Sequence, residues 1–161
     1  MNKTIIFLDF DGVLNTEQYH AELALVGKSD KDHWGPLFDP RSIHNLRTIV
    51  EETGASIIVI STWRYIHGFQ GLKDMWKERF LPGKLMGILP CDSMMPTRGE
   101  EIADYLKGHK DWSYAILDDI DEYNSAQSLR FVRINPVVGI SESDARKAIE
   151  ILNVGENNKS S

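Results

Sequence analysis

The chain has little of what stapled, secreted or membrane proteins depend on. Cys91 is its one cysteine, so no internal disulfide can form. Its five histidines, His20, His33, His44, His67 and His109, are scattered and have no cysteine partners at zinc-ligand spacing. No apolar run reaches the roughly 18 residues of a membrane-spanning helix. The apolar stretch between Lys3 and Asp9 is too short for a signal-peptide core. Cationic excess is missing as well. With 18 Lys and Arg against 24 Asp and Glu, the net charge is −6, which gives no general attraction to nucleic acid, although a local basic patch could still act. These absences predict a soluble protein in a reducing, cytoplasmic setting, with no membrane partner. A length of 161 residues fits one domain, expected over residues 1–155, with a disordered tail at 156–161.

What is present is concentrated near the start. Ile5-Ile6-Phe7-Leu8 is a β-prone apolar run that ends in Asp9-Phe10-Asp11-Gly12. Such runs suit strands covered on both faces, as in parallel sheets, whose C-terminal edge carries ligand sites. Asp9 and Asp11 are two apart, so a continued strand would point both carboxylates to one face, and Gly12 permits backbone angles that other residues resist. The bland alternative is a polar turn closing a buried strand.

Strand-like and helix-like patterns then alternate. Thr4–Leu8 is the first strand. Asp39 as N-cap, Pro40 in the first turn and Gly54 at the C-terminus bracket a helix with Ile43, Leu46 and Val50 inward. Ser56–Ile60 is the second strand and ends in Ser61-Thr62-Trp63-Arg64. Leu72, Met75, Trp76 and Phe80 predict a helix stopped by Pro82-Gly83, with a short strand near Met86–Leu89. Thr97 and Glu100 form a capping-box pattern for a helix carrying Ile102 and Leu106 and ending at Gly108. Tyr114–Leu117 is a strand ending in Asp118-Asp119-Ile120-Asp121. Phe131–Ile134 is another strand, and a last helix begins at Ser141 with Ala145, Ala148, Ile149 and Leu152 inward. This βαβαβ order predicts a three-layer, Rossmann-like α/β fold with a mainly parallel sheet.

Three strands, ending at Leu8, Ile60 and Leu117, hand over to polar residues, and such a fold gathers their ends on one edge. A site of Asp9, Asp11, Asp118 and Asp119, with hydroxyls from Ser61 and Thr62, is hard and oxygen-rich, which suits magnesium and not zinc. Magnesium in turn admits a phosphate. One leading carboxylate, Asp9, is expected to attack phosphorus, and Asp11 to exchange protons with the leaving oxygen and with water. Asp118 is the expected metal anchor, and Ser61 with the following backbone N–H groups is expected to hold phosphoryl oxygens.

These residues resemble the haloacid dehalogenase superfamily of aspartate-nucleophile phosphohydrolases. Asp9-Phe10-Asp11-Gly12-Val13 resembles its first motif, Ser61 its second and Asp118-Asp119 its acidic fourth. The resemblance implies that Asp9 is the nucleophile, that Asp11 is the general acid/base and lends a backbone carbonyl to the metal, and that the Asp118-Asp119 pair helps hold magnesium. More narrowly, Asp11-Gly12-Val13-Leu14-Asn15, Ser61-Thr62-Trp63-Arg64, Arg98-Gly99-Glu100-Glu101-Ile102 and Ile116-Leu117-Asp118-Asp119 are similar to small capless phosphatase-like domains of bacteria, phages and RNA-repair proteins. The superfamily's third motif is normally a lysine. Here Arg98 at a helix start is the expected substitute, with Lys84 in reserve.

Thr62, Arg64 and Gly12 are expected to touch substrate, Arg64 by gripping phosphate or ribose unless it forms a surface ion pair. Trp63 reads as packing, with lining of the substrate pocket as the alternative. Asp121 either caps the next helix or meets the metal through water. Residues 15–38, with Tyr19, His20, His33 and Trp34, have the composition of a small flap with aromatic contacts. Neither this insertion nor residues 65–96 is long enough for a large cap, so an open cleft is expected. Such a cleft takes small phosphoesters or macromolecular ends, including nucleic-acid end phosphates. Two other classes share these features: a phospho-accepting signalling module, whose acids and hydroxyl follow a different order along the chain, and a catalytically silent interaction domain.

Overall fold

The computed structural model describes residues 2–157. Strand β1 is Thr4–Leu8, followed by helix α1 (Glu17–Leu25), the two-residue strands β2 (Lys31–Asp32) and β3 (Gly35–Pro36), and helix α2 (Pro40–Thr53). Then come β4 (Ser56–Val59), α3 (Trp63–Glu78), β5 (Leu85–Ile88), α4 (Arg98–Leu106), β6 (Ser113–Asp118), the short α5 (Ser125–Ser128), β7 (Phe131–Arg133) and α6 (Glu142–Asn157). The main sheet has the order β5-β4-β1-β6-β7 and all its pairings are parallel. The expected three-layer α/β fold is therefore present.

Period-2 alternation along the strands explains the layers. Ile6 and Leu8, with Ile57, Val59, Ala115 and Leu117, point to a core completed by Leu46 and Ile49 of α2, Leu72, Met75 and Trp76 of α3, and Ala145, Ala148 and Leu152 of α6. Ile5, Phe7, Ile58, Ile60 and Ile116 point the other way, against Ile102, Tyr105 and Leu106 of α4. Burying one such aliphatic side chain stabilises the fold by roughly 1.5–3 kcal/mol. Both faces of β1 are covered, which is why its sequence is continuously apolar.

The helix caps follow the sequence. Asp39 accepts from Arg41 N–H (2.9 Å), Pro40 opens α2 and Gly54 closes it at φ +69°. Thr97 Oγ1 accepts from Glu100 N–H (3.2 Å) and donates to Glu100 Oε2 (2.9 Å). Ser141 and Asp144 exchange two bonds at the start of α6 (2.9 and 3.0 Å).

The flap region is more ordered than its composition indicates: it holds α1 and the β2–β3 ribbon. Only Leu23 of α1 is buried, so its sequence lacks a clear apolar stripe. Helix α3 begins at Trp63, earlier than expected, and is kinked at Gly68 (φ +67°, ψ 178°). Phe80, expected on its inward face, lies beyond the helix end at φ +53° and is exposed. Helix α6 runs to Asn157, so only residues 158–161 of the expected tail lie beyond it, and these are outside the described residues. Among the described residues no helix is long and apolar enough to cross a membrane.

Candidate active site

Register places the acids. Leu8 of β1 is paired with Leu117 of β6, so the next residues, Asp9 and Asp118, leave neighbouring parallel strands side by side. The Asp9 N–H donates to Leu117 O (3.1 Å), which carries the ladder one residue past β1. Asp9 is 5% exposed and Asp118 1%. Carboxylate oxygens of Asp9, Asp118 and Asp119 lie within 4.8 Å of one another.

Gly12 makes room for the third of these. At φ +80° it sits so close to Asp119 that a Cβ there would stand 2.5 Å from Asp119 Oδ2. The structure thus gives Gly12 a spatial reason beyond the substrate contact expected of it.

Arg98, at the start of α4, reaches over the cluster. Its Nη1 is 3.1 Å from Asp118 Oδ2 and 3.5 Å from Asp9 Oδ2. The reserve candidate Lys84 is exposed just before β5, at the opposite edge of the sheet, and is not placed for the site. Tyr123 completes this side: its O–H donates to Asp118 Oδ2 (2.7 Å). The sequence reading missed Tyr123, because it lies in an irregular polar stretch where no periodicity marks it.

The electrostatics follow from crowding. Burial and then the Asp118 charge push the Asp9 carboxyl up to about 9, against the pull of Arg98. Burial also raises Asp118, but Tyr123 and Arg98 outweigh it and hold that carboxyl below its ordinary value. Asp119 is raised by burial and by Asp118. Burial lowers Arg98, yet the Asp9 and Asp118 charges outweigh it and strengthen its hold on the proton. Three hard oxygen donors with more negative charge than one guanidinium balances fit a divalent cation such as magnesium. Asp11 is exposed, and its carboxylate is not one of the three clustered ones.

Asp11 Oδ1 instead accepts from Asn15 Nδ2 (2.8 Å) and from Trp63 Nε1 (3.1 Å). Beside it a cleft of about 200 Å³ is lined by Asp11, Gly12, Asn15, His20, Asp119 and Pro136, among others. Ser61 is fully buried and its Oγ accepts from Trp63 N–H (3.2 Å), while Thr62 is exposed at the start of α3.

Arg64 corrects the sequence reading. It is 2% exposed and donates to Ile60 O (2.5 Å), Tyr65 Oη (2.7 Å) and Glu101 Oε2 (2.6 Å), tying the end of β4 to α4. Its ion pair with Glu101 is therefore an internal one and not the surface pair weighed from the sequence. Asp121 accepts from Tyr123 N–H (3.3 Å) in a turn, and the N-cap of α5 is Asn124. Of the flap's aromatics, Trp34 is engaged: its Nε1 donates to Glu78 (2.7 Å), and its backbone O meets His67 Nε2 (3.0 Å).

An acid cluster at the C-terminal edge of a five-stranded parallel sheet, with a basic side chain held over it, is the architecture of a haloacid dehalogenase-type domain. Within that class the chain belongs to the family described as the HAD domain in Swiss Army Knife RNA repair proteins, whose model matches residues 5–145. No curated protein and no solved structure matches the chain.

Proposed function

We propose that the domain is a magnesium-dependent phosphomonoester hydrolase that works through an aspartyl-phosphate on Asp9. The observation that carries this reading is the buried Asp9 carboxylate, set beside Asp118 and Asp119 at the strand ends and faced by Arg98. Asp9, Asp118 and Asp119, with the Asp11 carbonyl, would hold the magnesium, which when bound masks carboxylate charge and draws electron density from the phosphoryl oxygens.

The protein's own groups do the rest. An Asp9 oxygen attacks phosphorus in line while the bond to the departing oxygen breaks, and Asp11 gives that oxygen a proton. Asp11 then takes a proton from water, whose oxygen attacks the acyl-phosphate and frees Asp9 and inorganic phosphate. Arg98 and the start of α3, with Ser61 and Thr62, balance charge on the phosphoryl oxygens.

The substrate class we infer is an end phosphate of a nucleotide or oligonucleotide, an inference from the words RNA repair in the family description. Exposed Tyr65, two residues into the helix after the Ser61 turn, offers a ring on which a base could stack. The test is phosphate release, with magnesium, from 3′- and 5′-phosphorylated oligonucleotides, mononucleotides, phosphosugars and phosphopeptides. A preference of about a hundredfold for phosphorylated nucleic-acid ends is expected, and a difference of that size in favour of another class overturns the substrate assignment. Inactivity on the whole panel with 4-nitrophenyl phosphate added, at high enzyme concentration, overturns the hydrolase reading in favour of a silent interaction domain.

A further inference from the structure

We infer that Trp63 is a positioning residue for the acid/base carboxylate Asp11, acting through its indole N–H; the inference rests on the hydrolase reading above. A buried indole N–H ordinarily finds a partner nearby. The partner of Trp63 Nε1 is the exposed Asp11 carboxylate, 3.1 Å away and 52 residues earlier in the chain.

The ring is held on several sides. Phe10 meets it edge-on at 5.4 Å and Phe38 lies 5.5 Å away, centroid to centroid. The Arg79 guanidinium sits 5.7 Å from the ring centre, and it is fixed by Asp32 (2.7 and 3.1 Å) and by Gly35 O (3.1 Å) in the flap ribbon. Gly35 itself passes so close that a Cβ there would stand 3.0 Å from Trp63 Cη2. An indole so enclosed has little freedom to turn its N–H elsewhere.

The direction of the bond matters. Trp63 Nε1 and Asn15 Nδ2 both donate to Asp11 Oδ1, and Oδ2 receives neither. Asp11 stands past the end of β1, in a turn where Phe10 O accepts from the N–H groups of Val13, Leu14 and Asn15. An exposed aspartate in such a turn would otherwise sample several rotamers. Two donors on one oxygen fix the carboxylate plane and reserve Oδ2 for proton exchange with the leaving group. The flap thereby supports the acid/base residue from a distance, through Arg79 and the indole.

Proton donation matters most when the leaving oxygen is a poor one, so leaving-group dependence separates positioning from packing. The experiment compares kcat/KM for 4-nitrophenyl phosphate and phenyl phosphate, with magnesium, in the wild type and in Trp63→Phe, which keeps a ring and loses the N–H. Expected is a fall of about tenfold for phenyl phosphate with less than about twofold for 4-nitrophenyl phosphate, carried by kcat with KM unchanged. Asn15→Ala, which removes the other donor, is expected to give the same pattern and serves if Trp63→Phe does not fold. Equal losses on both substrates, or no loss on either, overturn the positioning role and leave the hydrolase reading standing. A wild type inactive on both substrates overturns the two together.

Discussion

The Arg98 guanidinium stands 3.1 Å from Asp118 Oδ2, so a side chain at the start of α4 rests on the last residue of β6. In the reaction proposed above it is the basic group that faces the acid cluster. Arg98→Ala is expected to lower kcat/KM for 4-nitrophenyl phosphate by about 10²–10³-fold, the usual effect of removing one charge-stabilising donor. Arg98→Lys keeps the charge but loses the planar fork, and should fall between the two. Steady-state kinetics check both, and a full-rate Arg98→Ala removes Arg98 from the reaction.

Asp9→Asn is expected to reduce turnover by at least about 10⁴-fold, as loss of a nucleophile does. It should leave far-ultraviolet circular dichroism unchanged. Retained activity would exclude Asp9 as the nucleophile.

The same carboxyl gives a pH signature. Burial, and then the Asp118 charge, push it up to about 9. A raised folded value means that its contribution is fully present below the ordinary value of about 4 and is lost as pH rises through about 9. Magnesium competes with that proton. The magnesium-induced rise in Tm is therefore expected to be larger near pH 8.5 than near pH 5.5 in a thermal-shift assay. An equal rise at both would mean that the ion does not bind at Asp9.

Arg64 and Glu101 form a buried pair at 2.6 Å. Arg64→Met leaves the Glu101 charge without its partner and is expected to destabilise the fold by about 3–5 kcal/mol in denaturant titration, with KM for 4-nitrophenyl phosphate changed less than about twofold at low temperature. A large KM rise with unchanged stability would restore Arg64 as a substrate contact.

Asp39 caps α2 and holds the start of α1 through Thr16 Oγ1 (2.7 Å). Burial raises its carboxyl, but hydrogen bonds from Arg41 and Thr16 outweigh this and hold it below its ordinary value. Its contribution is thus present above about pH 4 and lost as pH falls through the lowered folded value. Asp39→Asn keeps a capping oxygen and removes the charge. It should lower stability by about 1 kcal/mol at neutral pH, with the gap to wild type closing towards about pH 3.

Much of this was legible in the chain. The apolar strands, the caps at Asp39, Thr97 and Ser141, and the helix stop at Gly54 are local chemistry, written in neighbouring residues. The strand-end acids Asp9 and Asp118 were legible too, because parallel topology gathers such ends on one edge. Helix α1 was not, since its single buried residue, Leu23, leaves no apolar period to read. The internal pairing of Arg64 was not legible, because an arginine after a strand looks the same in sequence whatever it faces, here Glu101, 37 residues away.

The sequence by itself determined the sheet, the order of its strands along the chain and the residue types at their ends, since these follow from periodicity and composition. Only the tertiary structure decided how those ends are shared out. Register set Asp9 against Asp118, and Gly12 let Asp119 close on them. The folding of α4 over the edge brought Arg98 onto the acids, while Lys84, just before β5, stays at the other edge. The packing of α3 against the flap turned the Trp63 N–H onto Asp11. Each of these depends on distances between residues far apart in the chain, which no local pattern carries.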